Sequence, residues 1–347
     1  MIYFVPHEHE SITVKEILLR NDIEWQIYDE WDFSTRHQFV IPKHGLVIFP
    51  WHCLDDLQDV GAFADAVRNS DCKFYFCEKM DTLARYLGNH KYFTDCDNVF
   101  YHVDGIPHKP DSKIVTVAEF DHLLNIELPI RTNFTRNYDF VTFQMLTEKK
   151  NEHRAKLVDL LQDNDLLDNA FTNIVYNSNP DDKQRNQYAK ETRQGYTRNL
   201  EFNGFSHGPH VPWDIYDQCY MEVATETYYE HATMFVASTT RSIVYGFPSL
   251  VLSDENYYSR FKQLGFETWD RWLYESWHDA NDLDVRVSGL VENLMQIKDI
   301  GFDNFYNLAK PVCEHNYYNL VRVKHQQKLQ HHNQFLDFLE NEDILGN

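Results

Sequence analysis

The chain has 347 residues, 43% hydrophobic and 15% aromatic, and a formal net charge of −22. That length suits two hydrophobic cores better than one, and the apolar content excludes a disordered chain. The acidity excludes a broad phosphate-tracking face, so no large nucleic-acid surface is expected, although a small basic pocket is still allowed.

The N-terminus "MIYFVPHEHE" lacks a basic leader region, and no apolar run reaches the ~18 residues that span a bilayer. The six cysteines are scattered without a CxxC pair, which predicts buried free thiols in a reducing compartment, the cytoplasm. No cofactor and no metal set are expected.

In chain order, short β-rich runs predict strands at "MIYFV", "IEWQIY", "GLVIFP", "KFYFC" and "NVFYHV". Helical patterns lie between them at "ITVKEILLRN", "DDLQDVGAFADAVRNS" and "KMDTLARYLG". This alternation predicts a mostly parallel sheet covered on both faces, with ligand loops after the strand ends. "IELPIRTNFTRNYD" reads as a connector, with a hinge between about 128 and 140. A second unit follows: strand "FVTFQML", helix "TEKKNEHRAKLVDLLQDNDLL", strand "AFTNIVYNS", a long polar loop over 177–212, and strand "YMEVATET". The His-rich C-terminal segment, with His325, His331 and His332, reads as a solvated helix. The division is therefore residues 1–135 and 136–347, two Rossmann-like domains with a ligand cleft between them.

Several residue groups suit an anionic ligand. "STTRSIVY" opens a helix at Ser238, Thr239, Thr240 and Arg241. The exposed N–H groups of a helix start bind phosphate, and Arg offers a two-pronged donor; alternatively Ser238 or Thr239 simply caps the helix. Lys149, Lys150 and Arg154 form the densest basic cluster, either around a pyrophosphate or on a solvated helix face. Glu226 ends a strand, where a carboxylate can accept ribose hydroxyls. Glu8 and His9, in the loop after the first strand, could supply a general base; Asp29, Glu30 and Asp32 are weaker candidates. In "SHGPH" a Gly-Pro turn could present His207 and His210 to a ligand. GxGxxG, Walker and GxSxG signatures are absent from the sequence.

Over roughly residues 138–300 the order of motifs resembles a family of phage and algal-virus glycosyltransferase-like proteins related to fucosyltransferase-type GT-B enzymes. Thr225-Glu226-Thr227, Gly246-Phe247-Pro248, the run Gln263 to Trp269, and His153-Arg154 carry the likeness. The family's Thr-Glu-Lys-Thr falls on Val236-Ala237-Ser238-Thr239, so only the last Thr is kept. The resemblance implies an α/β, GT-B-like fold and metal-independent transfer of a sugar from a nucleotide diphosphate to a glycan, protein or modified-base hydroxyl. Inversion at the anomeric carbon is implied by the resemblance alone. On this reading Glu226, Thr239, Arg241, Lys150, Arg154 and His207 bind substrate, Arg241 replaces the lost cation, and Glu8 and His9 are catalytic. The alternative is a non-catalytic protein that binds nucleotide sugar or glycan on a degenerate transferase fold.

Overall fold

A computed structural model describes residues 1–5, 12–28, 41–54, 57, 59–77, 91–103, 105–107, 113–117, 136–145, 152–175, 216–226, 232–235 and 237–345. The chain forms two compact units, Met1–Asn125 with Lys324–Asn347, and Ile126–Val323.

In the first unit, strands β1 (Ile2–Phe4), β2 (Trp25–Ile27), β3 (Gly45–Pro50), β4 (Cys72–Cys77) and β5 (Val99–Val103) join β7 (Ile114–Val117). The short strand β6 (Gly105–Pro107) precedes β7. The sheet order is β2-β1-β3-β4-β5-β7, and every pairing is parallel. Parallel strands are covered on both faces, so their sequences run apolar without alternation. In β4, Phe74 and Phe76 join Phe49, Phe93 and Phe63 of helix α2 (Val60–Arg68). Tyr75 and Cys77 face the other layer, with Val14, Ile17 and Leu18 of α1 (Ile12–Arg20). All six cysteines are free and buried.

Phe335, Phe338 and Leu339 complete that second layer. They lie near the end of α7 (Phe302–Asn341), a helix of 40 residues. Tyr75 meets Phe335 and Phe338 at 5.0 and 5.5 Å between ring centroids. This corrects the division at residue 136: the stretch from Lys324 belongs to the first unit, because its i, i+3, i+4 apolar stripe covers the first sheet. It also corrects the solvated-helix reading. His331 is buried and stacks on His102 of β5, with centroids 4.5 Å apart.

The second unit holds β8 (Tyr138–Met145), β9 (Phe171–Val175), β10 (Cys219–Thr225) and β12 (Ser249–Leu252), in the order β12-β10-β8-β9 and all parallel. A three-residue strand, β11 (Ala232–Met234), comes before β12. Helix α3 (Glu152–Asp163) links β8 to β9, and α4 (Ala237–Tyr245) links β10 to β12. The Gly-Phe-Pro turn ends α4. Gly246 takes φ +66°, Phe247 N–H reaches the Ser242 carbonyl and Gly246 N–H that of Ile243, which satisfies two end carbonyls as a left-handed glycine cap does. No helix among the described residues is long and apolar enough to cross a membrane.

Helix α5 (Tyr257–Gln263) lies along β12, the edge strand. The Tyr258 hydroxyl accepts from Val251 N–H at 2.9 Å and donates to the Val251 carbonyl at 3.2 Å. A side chain thereby satisfies backbone groups that an edge strand would otherwise expose. Helix α6 (Leu283–Ile300) packs beside α3, joined by the Lys156–Asp284 ion pair at 2.5 Å. Gly289 of α6 lets Trp277 close on the helix, since a methyl there would overlap the Cβ and Cγ of the indole. Gly289→Ala gains about 1 kcal/mol of helix propensity, but overpacking against the buried Trp277 costs about 1–3 kcal/mol or more. A net loss of stability in urea unfolding is expected; a variant more stable than the wild type would show that Trp277 is not seated there.

Candidate functional site

The chain passes from β8 to β9 on one side and to β10 and β12 on the other, so the strand order reverses between β8 and β10. Open α/β sheets bind ligands at the carboxyl ends of the strands flanking such a point. A buried polar ladder leads there. Thr142 donates to the Val223 carbonyl at 2.7 Å, Gln144 Nε2 to Thr142 Oγ1 at 2.9 Å, and Thr225 Oγ1 to Gln144 Oε1 at 3.0 Å. Each bond crosses between, or runs along, β8 and β10 and helps fix their register up to the edge.

Glu226 follows β10 directly. Its N–H donates to the Leu252 carbonyl at 2.9 Å, continuing the ladder, and the residue is 0% exposed. The first turn of α3 brings His153 and Arg154 to it, both buried. His153 Nε2 lies 2.9 Å from the Glu226 carbonyl, an acceptor only, so this nitrogen carries the proton. Burial, with the Arg154 and Arg286 charges, pushes the His153 pKa down to about 3. Burial lowers Arg154 to about 10 against the opposing pull of Glu226, and the guanidinium stays charged at neutral pH. Arg154 and Glu226, 72 positions apart in sequence, are thus neighbours at the reversal point.

His153 offers a pH test of this arrangement. Below the unfolded pKa of 6.5 the unfolded chain takes up a proton that the folded one refuses until about pH 3. The stabilisation from a neutral His153 is therefore complete above 6.5 and is lost as pH falls toward 3, at roughly 1.4 kcal/mol per pH unit. His153→Gln removes that dependence. The stability advantage of the wild type over the variant should shrink by about 2 kcal/mol between pH 6.5 and 5. An unchanged gap in denaturant titrations would mean that His153 protonates freely in the fold.

Two further buried groups at this edge are not apparent from sequence. Asp254, just past β12, accepts from Ser253 Oγ at 3.4 Å and from Asn256 N–H at 3.3 Å. Arg286 of α6 donates to the Ser253 carbonyl. Nothing in "DLDVRVSG" separates Arg286 from a solvated helix residue; only the packing of α6 brings it here.

Arg241 is a correction. It does not supply the missing cation at the mouth of the site. Its guanidinium lies 3.5 Å from Glu222 Oε1, with side chains 6% and 1% exposed. Tyr216 also donates its hydroxyl to Glu222 at 3.0 Å. Glu222 stands four residues before Glu226, about 13 Å back along the strand. The reason is electrostatic: a carboxylate buried in mid-strand needs a cation, and Arg241 sits one turn into the helix that covers it. Thr239 lies in the first turn of α4, with its side chain outside the described residues. Glu8, His9, Asp29, Glu30, Asp32, Lys149, Lys150, His207 and His210 also lie outside them.

No protein-family model matches the chain, and no curated protein matches it in sequence. The crystal structure of an alpha1,3-fucosyltransferase is similar at a TM-score of 0.50 and 10% identity, covering 100% of this chain and 90% of that one. At that identity the likeness concerns the fold alone. Two parallel α/β units in one chain, sharing the architecture of a fucosyltransferase, make this a GT-B-like fold.

Proposed function

We propose that the second unit binds a nucleotide-diphosphate sugar at its carboxyl edge and that the protein transfers the sugar to an acceptor hydroxyl. The observation that carries this reading is the buried Arg154–Glu226 neighbourhood at the strand reversal. Arg154 offers a charged fork to the diphosphate, and the backbone donors at the start of α4 offer a second anion contact. Glu226 offers a carboxylate to ribose hydroxyls. The acceptor oxygen attacks the anomeric carbon, the bond to the diphosphate oxygen breaks, and the acceptor proton passes to a base, assigned to Glu8 or His9. The leaving diphosphate needs its growing charge neutralised, which fixed cations and helix dipoles can do.

The second reading is a protein that keeps the fold and binds nucleotide sugar without transfer. The engagement of Arg241 with Glu222 favours it, because Ala237 and Ser238 then leave the start of α4 with no charged side chain of its own. Calorimetry with nucleoside diphosphates, followed by incubation with nucleotide sugars and assay of released diphosphate, separates the two. Binding with release supports transfer, binding without release supports the second reading, and no binding removes both.

A further inference from the structure

The short 3-10 turn Ser276–Asp279 carries His278, which is 4% exposed and lies flat on Tyr258, with centroids 3.4 Å apart at 9°. His278 Nε2 is buried and has no hydrogen-bond partner among the described residues. Burial and the charge of Lys262 push its pKa down to about 3, so the ring is neutral and has one donor and one acceptor nitrogen to satisfy. A buried polar atom left unmatched costs roughly 1–3 kcal/mol, and such atoms tend to mark a water or a ligand.

His278 lines a cleft of about 370 Å³ between α5 and the segment 270–279, within the usual range for small-molecule sites. Its groups restrict what can enter. Lys262 is paired with Asp270 at 3.0 Å and Glu275 at 3.4 Å, and Asp279 adds a third carboxylate, so the surplus charge is negative and disfavours phosphate or sulfate. Glu275 is held in place by the Thr268 hydroxyl at 2.7 Å and Trp269 N–H at 2.8 Å, which makes it a preset acceptor. Tyr274 on the rim is 73% exposed, a rigid aromatic face that costs little entropy to use. Carboxylates and a neutral imidazole suit hydroxyl groups, and an exposed ring suits the C–H face of a pyranose.

We propose that this cleft is a carbohydrate-binding subsite, separate from the carboxyl-edge crevice. It lies beyond edge strand β12, while Glu226 follows β10 and Arg154 follows β8. The subsite does not rest on the transfer reading, since a neutral glycan could be held there with or without turnover.

The test is ligand-observed NMR on the full chain with cellobiose, lactose, maltose and chitobiose, and with spermidine as the cationic competitor. Saturable millimolar binding of at least one disaccharide is expected. Tyr274→Ala, an exposed substitution, should weaken it by roughly fivefold, the scale of one aromatic contact, and leave nucleoside-diphosphate affinity unchanged. Saturable binding of none of the four sugars would overturn the proposal, as would binding indifferent to Tyr274→Ala, or tight binding of spermidine that displaces the sugar. Loss of nucleoside-diphosphate affinity in Tyr274→Ala would also overturn it, whereas a wild type that binds sugar but no nucleoside diphosphate would count against the transfer reading and leave the subsite standing.

Discussion

Arg241→Ala is expected to destabilise the second unit by about 3–5 kcal/mol, the cost of breaking a buried ion pair from one side. The alanine leaves Glu222 at 1% exposure without the Arg241 cation, with the Tyr216 hydroxyl and the Ser242 backbone still donating to it. Burial already pushes the Glu222 pKa up to about 7, against the opposing effects of Arg241 and Tyr216. Without Arg241 it rises further and the carboxyl takes up a proton, which caps the loss. That upward shift has a sign consequence in the variant. A raised folded pKa means stability is greatest at low pH and falls as pH rises from the unfolded value of 4.5 through the folded one. Arg241→Ala should therefore be least stable above pH 7. Removing both charges, as Arg241→Met with Glu222→Leu, should recover much of the loss, because two apolar groups need no pairing. A single variant with wild-type unfolding but no nucleotide affinity would return Arg241 to the ligand site.

That contrast shows where sequence reading stops. Of the five strands named in the first unit, β3 and β4 are readable because burial on both faces leaves the continuous apolar runs "GLVIFP" and "KFYFC", whereas the edge strand β2, with Gln26 and Ile27 exposed, is readable only from its β-rich residue types. Strand β7 is missed, since four residues of "IVTV" among polar neighbours have too little length to show a period. The stripe Phe335, Phe338, Leu339 is visible in the sequence, but the surrounding histidines and glutamines mask it, and no pattern says which sheet it will cover. Arg154 and Arg241 look alike as cations at helix starts. Their surroundings differ because Arg241 pairs with Glu222 in mid-strand while Arg154 lies near Glu226 just past the end of the same strand, a distinction that depends on register.

Arg154→Ala should weaken nucleoside-diphosphate binding by about 1.5–3 kcal/mol, roughly ten- to more than a hundredfold, as expected for a charged hydrogen bond in a dry site. Arg154 is buried, so the change also has a structural cost. It leaves Glu226, at 0% exposure, without its opposing charge, and some loss of folding stability must accompany the loss of affinity. Two controls separate these effects. Arg154→Lys keeps the charge and gives up the planar fork, so stability should largely return while affinity recovers only in part. Glu226→Gln removes the carboxylate and leaves the guanidinium: a ligand anion could then pair with Arg154 unopposed, so diphosphate alone should bind at least as tightly as in the wild type. A nucleoside should bind more weakly, having lost the ribose contact. If Arg154 and Glu226 were only a structural pair, both variants would lower stability and neither would change affinity once measured well below the unfolding temperature. Calorimetric titration of diphosphate, nucleoside and nucleoside diphosphate against the three variants distinguishes these outcomes. Equal affinities across the series would remove the strand reversal as the donor site.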